Sequence, residues 1–186
     1  MISKSRAQMS GHVALLGDSV LDNGAYTSGG PDVVRQLTSM LPAGWRASLL
    51  ALDGAMMGDL EHQLYKLPAD VTHLVVSIGG NDVLQNLDVL RLKARSSLDA
   101  LLSLGKRVPG FERGYRAAVD RVGQLGLPTT ICTIYNGNLS GQEGAAARIA
   151  LMAFNGCHPA CGVRVEAPGD RPPARVYRAS RLRQPD

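Results

Sequence analysis

Three short polar motifs in this chain each follow an apolar run: Gly17-Asp18-Ser19, Asp53-Gly54 and Gly79-Gly80-Asn81-Asp82. A serine hydroxyl, a glycine amide and a side-chain amide are the groups needed to attack an acyl carbon and to hold the oxyanion that forms. Strand ends in an open α/β sheet converge on one crevice, where ligands bind. Three such loops would therefore bring Ser19, Gly54 and Asn81 to one point. Each motif alone has a plainer reading. Gly-Asp-Ser is ordinary turn chemistry. Gly54 suits a turn of positive φ, and Asn81-Asp82 suits the cap of the next helix, with Asp82 capping and Asn81 facing the crevice. Their common place after successive strands, in a fixed order, favours the chemical reading.

The elements that must position these residues follow from the apolar patterning. Residues 12–16 form a short apolar run that reads as a buried strand. Pro31 to Met40 reads as a helix, with Pro31 at its first position and Val33, Val34, Leu37 and Met40 at helical spacing. Strands are expected at 45–52, 73–78 and 129–135, and helices at 57–67, 83–104 with a break near Lys93, 111–125 and 143–154. The near-continuous apolar character of 73–78 suits a strand buried on both faces. Alternating strands and helices predict a parallel sheet with right-handed crossovers, a three-layer α/β sandwich.

Composition narrows the function classes. The chain has 186 residues, 45 % of them hydrophobic, enough for one domain with a substantial core. Residues 1–155 carry 14 Lys or Arg against 13 Asp or Glu, so the body is not a basic nucleic-acid surface. No apolar run approaches the length of a membrane span, and no apolar signal segment precedes the first strand. Cys132, Cys157 and Cys161 are accordingly expected to be reduced thiols in a cytoplasmic protein. Cys157-His158-Pro159-Ala160-Cys161 clusters three soft or borderline ligands, but the second pair of a structural zinc site is lacking, and no metal or cofactor is expected.

Residues 156–186 break the pattern. They hold 5 of the 10 prolines, 6 Arg, no Lys or Ile and one Leu, with neither strand nor helix periodicity. Such a segment is expected to be disordered or translated out of frame from a GC-rich gene. Permitted codons read in a shifted frame can encode V-I-L-R-V-A-F-E and L-A-I-D-L-R-L-V, the rest of a helix and a further strand. The expected division is an incomplete α/β domain over 1–155 and a Pro/Arg-rich tail over 156–186, with the last strand and helix missing.

The motifs together resemble the SGNH (GDSL-type) hydrolase family of esterases, lipases and thioesterases. Residues 16–23 (Leu-Gly-Asp-Ser-Val-Leu-Asp-Asn), 52–55 (Leu-Asp-Gly-Ala) and 77–82 (Ser-Ile-Gly-Gly-Asn-Asp) carry the likeness, and 133–138 (Thr-Ile-Tyr-Asn-Gly-Asn) resembles the segment after the fourth strand in some bacterial members. The resemblance covers roughly residues 10–155. It implies a flavodoxin-like sandwich and a small-molecule ester substrate. It also implies that Ser19 is the nucleophile and an oxyanion donor through its own N–H, with Gly54 and Asn81 as the other donors and Gly17, Asp18, Gly80 and Asp82 in support.

One family motif has no counterpart here: the Asp-x-x-His that supplies the base and its orienting carboxylate. The histidines are His12, His62, His73 and His158. His12 and His73 begin strands, at the far end from Ser19. His62 falls within a helix, and His158 is preceded at the required spacing by Asn155 instead of aspartate. The expectation is an ester hydrolase crippled by loss of its base. The alternative is a non-catalytic protein that keeps the crevice for an acyl or acetyl ligand. A nucleotide-binding reading through Gly79-Gly80 carries little weight without G-x-G-x-x-G or a phosphate-loop lysine.

Overall fold

The computed structural model describes residues 10–137 and 140–156 of the chain. The Cys157–Cys161 cluster, His158 and the expected tail lie outside the described residues. Four parallel strands form one sheet: β1 (Gly11–Gly17), β2 (Trp45–Leu49), β3 (His73–Ser77) and β4 (Thr129–Ile131), in the order β2-β1-β3-β4. Six α-helices connect and cover them: α1 (Val33–Met40), α2 (Leu60–Tyr65), α3 (Gly80–Gln85), α4 (Ser97–Gly105), α5 (Val108–Gly123) and α6 (Gly141–Asn155). The strand order and parallel sense are those of the flavodoxin-like class of doubly wound sheets.

The pleat of β1 divides the core into two layers. Val13 and Leu15 face α1, meeting Val33, Val34 and Leu37. Ala14 and Leu16 face the other way, into a larger cluster with Leu60 of α2, Tyr115 and Val119 of α5, and Leu151 and Phe154 of α6. Every residue of β1 is buried, as a central parallel strand should be. Gly11 is needed at its start because the Trp45 ring lies where a Cβ would stand.

Two strands are shorter than expected, each for a backbone reason. Residues 50–52 stay beside β1, but the amides of Leu50 and Ala51 both donate to the single carbonyl of Leu15, so the ladder loses its regular step after Leu49. β4 ends at Ile131 because its neighbour β3 ends at Ser77. The Cys132 N–H still reaches the Val76 carbonyl, after which no strand remains to pair with on that side. Residues 133–135 turn instead to Asn155 at the end of α6. Its side-chain amide accepts from the Ile134 N–H at 3.1 Å and donates to the Ile134 carbonyl at 3.0 Å, in the manner of a short strand.

The expected helix at 57–67 is a 3-10 turn (Met57–Asp59) followed by α2, which stops before Pro68. The expected 83–104 helix is likewise divided. α3 and a 3-10 turn (Leu87–Arg91) precede an irregular stretch that contains Lys93, and α4 follows. No helix among the described residues is long and apolar enough to cross a membrane.

Candidate active site

The Ser19 turn is held by its backbone. Gly17 adopts φ 125°, and a Cβ there would sit 1.7 Å from the Ser77 carbonyl oxygen, so only glycine fits. The chain then crosses to β3, where the Asp18 N–H donates to that same carbonyl at 2.9 Å. Beneath the turn lies Gln63, a 1 % exposed side chain of α2. Its Oε1 accepts from the Gly17 N–H at 2.7 Å, and its Nε2 donates to the Gly17 carbonyl at 2.9 Å. This buried clamp fixes both polar groups of the residue two before Ser19. Its signal in the sequence is a glutamine three residues after Leu60, on the helix face that should be apolar.

Asp18 is buried and points away from solvent. Its Oδ1 accepts from the Val20 N–H at 3.1 Å, which closes the turn over Ser19. Burial pushes the Asp18 carboxyl up, opposed by the Val20 and Gly80 amides, with the nearby Asp82 charge adding to the rise. Ser19 itself is half-buried.

The loop after β2 carries Gly54 at φ 81°, with nothing within 4 Å of the place a Cβ would take. A ligand can therefore approach its amide closely. The loop is tied down on both sides of Gly54. The Asp53 N–H donates to Asp22 at 2.9 Å, and Tyr26 Oη donates to Asp53 at 2.7 Å. On the other side, the Asn81 side-chain amide donates to the Ala55 carbonyl at 2.8 Å. An amide nitrogen has two hydrogens, so this bond orients Asn81 and leaves one hydrogen to offer.

Asp82 does not cap the helix, contrary to expectation. The N-cap of α3 is Gly79, in a left-handed conformation with no side-chain cap bond. Asn81 and Asp82 are already inside the first turn. The Asp82 carboxylate reaches across instead and accepts from the Met57 N–H at 3.1 Å, at the start of the 3-10 turn after β2. Burial, with a smaller push from Asp59, raises its pKa. Asn81 and Asp82 thus both fasten the Gly54 loop to the start of α3.

Ser19 and Asn81 line one cleft of about 240 Å³, with Asp18 and Gly80 at its floor and Val83, Leu84, Leu87, Ile134 and Leu151 among its apolar walls. Gly54 lies outside this lining and is joined to it through Ala55 and Asn81. Tyr135, Gly137 and Arg148 complete the side formed by the segment after β4 and by α6.

The described histidines stand elsewhere. His12 and His73 open β1 and β3. At about 3.3 Å per residue, His12 is about 16 Å from Gly17 along its strand. His62 is exposed on α2. Asn155, at the spacing where an orienting aspartate would precede His158, is fully engaged with Ile134. Cys132 is half-buried, and burial raises its thiol, which makes it a poor nucleophile. Among the described residues, no group of three side chains could hold a metal ion.

Comparison with known proteins shows the fold. No family profile matches the chain, and no curated protein does. Solved structures do. An extracellular lipase from Streptomyces rimosus aligns at 21 % identity and TM-score 0.53, over 81 % of this chain and 75 % of that one. Phospholipase A1 from Streptomyces albidoflavus aligns at 19 % identity and TM-score 0.54, over 81 % and 75 %. AlinE4, an SGNH-hydrolase family esterase, aligns at 16 % identity and TM-score 0.54, over 82 % and 70 %. With the strand order, the Gly17 crossing and the loops at the carboxyl edge of the sheet, these alignments establish that the chain has the α/β fold of the SGNH hydrolases.

Proposed function

We propose that this chain is a hydrolase of small acyl esters, of the SGNH type, with Ser19 as its nucleophile. The Ser19 N–H, the Gly54 N–H and the Asn81 side-chain amide serve as oxyanion donors. The observation that carries this reading is the shared cleft of Ser19 and Asn81, with Asn81 bonded to the residue next to Gly54. The lipase and esterase fold neighbours support the ester class. The working unit is residues 1–155. In the first step Ser19 Oγ bonds to the ester carbonyl carbon, and the carbonyl oxygen takes the negative charge against the donors. Collapse breaks the bond to the leaving oxygen, which takes a proton from water and departs as the alcohol, and water then hydrolyses acyl-Ser19 to the acid and free serine. Asp18 and Gln63 hold the turn that aims the hydroxyl.

The proton of Ser19 Oγ has no described histidine to receive it and passes to water. A serine hydroxyl without a base is a weak nucleophile. Donors and binding alone, in the absence of a triad member, supply about 10³–10⁴ over water. On this reading the chain is a crippled esterase: it keeps the nucleophile and the donors, and both acylation and turnover are slow. The experiment is covalent labelling of the whole chain with a fluorophosphonate, followed by peptide mapping. Trypsin places Ser19 on the peptide 7–35. A slow adduct on Ser19, absent in Ser19→Ala, is expected. Failure to label Ser19 under forcing exposure contradicts the nucleophile assignment.

The second reading, a binding protein for an acyl or acetyl ligand, is favoured by the same apolar walls beside a serine without a base. It is chosen if decanoate binds with unchanged affinity in Ser19→Ala and Ser19 takes no label.

A further inference from the structure

At the opposite edge of the sheet, Ser48, His12 and Asp70 meet. His12 lies two residues before Ala14, the register partner of Ser48, so both side chains project from one sheet face. Asp70 comes from the turn that precedes β3. His12 Nε2 is 2.7 Å from Ser48 Oγ, and His12 Nδ1 is 3.1 Å from Asp70 Oδ1. These are the two bonds of a nucleophile, a base and a group that orients the base.

The direction of each bond is set by the carboxylate. Arg46 and then His12 itself, both hydrogen-bonded to Asp70, hold its carboxyl below the ordinary value. An ionised carboxylate only accepts. With neutral imidazole, Nδ1 therefore carries the hydrogen and donates it to Asp70. Nε2 is left with its lone pair, so Ser48 Oγ–H must donate to it. The ring is held by burial and by its own two bonds: His12 is 2 % exposed, and both ring nitrogens are engaged. Ser48, on the edge strand β2, is half-buried and keeps access to solvent.

We propose that Ser48 is a second nucleophile of this chain, activated by His12 and oriented through Asp70, and that activated aryl esters and fluorophosphonates modify it. In the acyl step Ser48 Oγ bonds to the acyl carbon and its proton passes to His12 Nε2. The bond from the acyl carbon to the aryl oxygen breaks, and that oxygen leaves as the phenol with the proton from His12. The product is acyl-Ser48 with the relay neutral again. Asp70 is a positioning residue in this step, since it touches only the imidazole. No oxyanion donor is assigned at this edge, so reagents that carry their own good leaving group are the fitting class.

The inference does not depend on Ser19, and the test separates the two. The full-length Ser19→Ala variant is treated with a fluorophosphonate and digested with trypsin. Ser48 then falls on the peptide 47–66, apart from the 7–35 peptide. The expected result is an adduct on Ser48, removed by Ser48→Ala and slowed about tenfold or more by Asp70→Asn, which favours the wrong tautomer. Nitrogen NMR of His12 gives a readout that does not involve reactivity: Nδ1 protonated and Nε2 bare in the parent, reversed in Asp70→Asn. Absence of label from Ser48 in Ser19→Ala overturns the proposal, as does label that Asp70→Asn leaves undiminished.

Discussion

At the carboxyl edge of the sheet, Ser19 shares an apolar cleft with the Asn81 side-chain amide, and no described histidine lines it. At the amino edge, Ser48 stands against a histidine and a carboxylate, and no donors are assigned there. A single strand, β1, supplies Gly17 to the first site and His12 to the second. The distance between them, about 16 Å along the strand, is too great for one imidazole to serve both serines. The comparison separates two requirements of acyl transfer. Holding the charge that develops needs glycine-rich loops at strand ends, whose amides and side chains can converge. Moving a proton needs only three side chains in contact, and the β1–β2 register with the turn before β3 can provide that.

The largest effect is expected where the carboxyl edge relies on backbone geometry. Gly17→Ala places a Cβ 1.7 Å from the Ser77 carbonyl oxygen at φ 125°. It should cost more than about 4 kcal/mol, the range of exceptional single changes, read by urea unfolding. The amino edge has no comparable glycine contact with a carbonyl; Ser48→Ala strands the buried His12 Nε2 and should cost less, about 1–3 kcal/mol.

The next effect sharpens the division of labour. Asn81→Ala should slow phosphonylation of Ser19 by about 10²–10³, the usual loss for one oxyanion donor. It should leave the rate at Ser48 unchanged. Equal slowing at both serines would show that the two edges are coupled through the fold.

A smaller effect tests the support beneath Ser19. Gln63→Leu removes both bonds to Gly17 and strands a buried N–H, a loss of about 2 kcal/mol. Labelling of Ser19 should slow, because the turn loses its fixed aim.

The pH dependence of stability should differ in sign between the edges. Asp18 holds its proton more tightly folded than unfolded, since burial raises its pKa above 3.8. Its share of stability therefore falls as pH rises from 3.8 through the folded value, and Asp18→Asn flattens that fall. Asp70 is displaced the other way, chiefly by Arg46. Its contribution is present above 3.8 and is lost as pH falls through the folded value, so Asp70→Asn flattens the acid limb. Urea unfolding at a series of pH values measures both slopes.

Much of the carboxyl edge was legible in the sequence because its information is local. An apolar run followed by Gly-Asp-Ser or Gly-Gly-Asn-Asp reports a strand end and a loop within a few residues. The supports were less legible because they are distant in sequence. Gln63 reaches Gly17 across 46 positions, and Asp82 reaches Met57 across 25, the bond that displaced its expected capping role. The short β4 was hidden for a similar reason: residues 133–135 have β propensity, but the strand they would pair with ends at Ser77. The amino edge left no motif at all. Ser48 and Asp70 lie 36 and 58 positions from His12, and only the β1–β2 register and the turn before β3 bring the three together.

The most direct test of the central claim is the kinetics of p-nitrophenyl butyrate hydrolysis by the whole chain and by Ser19→Ala. The account predicts slow steady-state release in the parent, about 10³–10⁴ over water, with the larger part lost in Ser19→Ala, while the single release that accompanies acylation of Ser48 persists in both. Sustained Ser19-dependent turnover in the common enzyme range of about 1–10³ s⁻¹ would contradict it, since Ser19 would then have a working base.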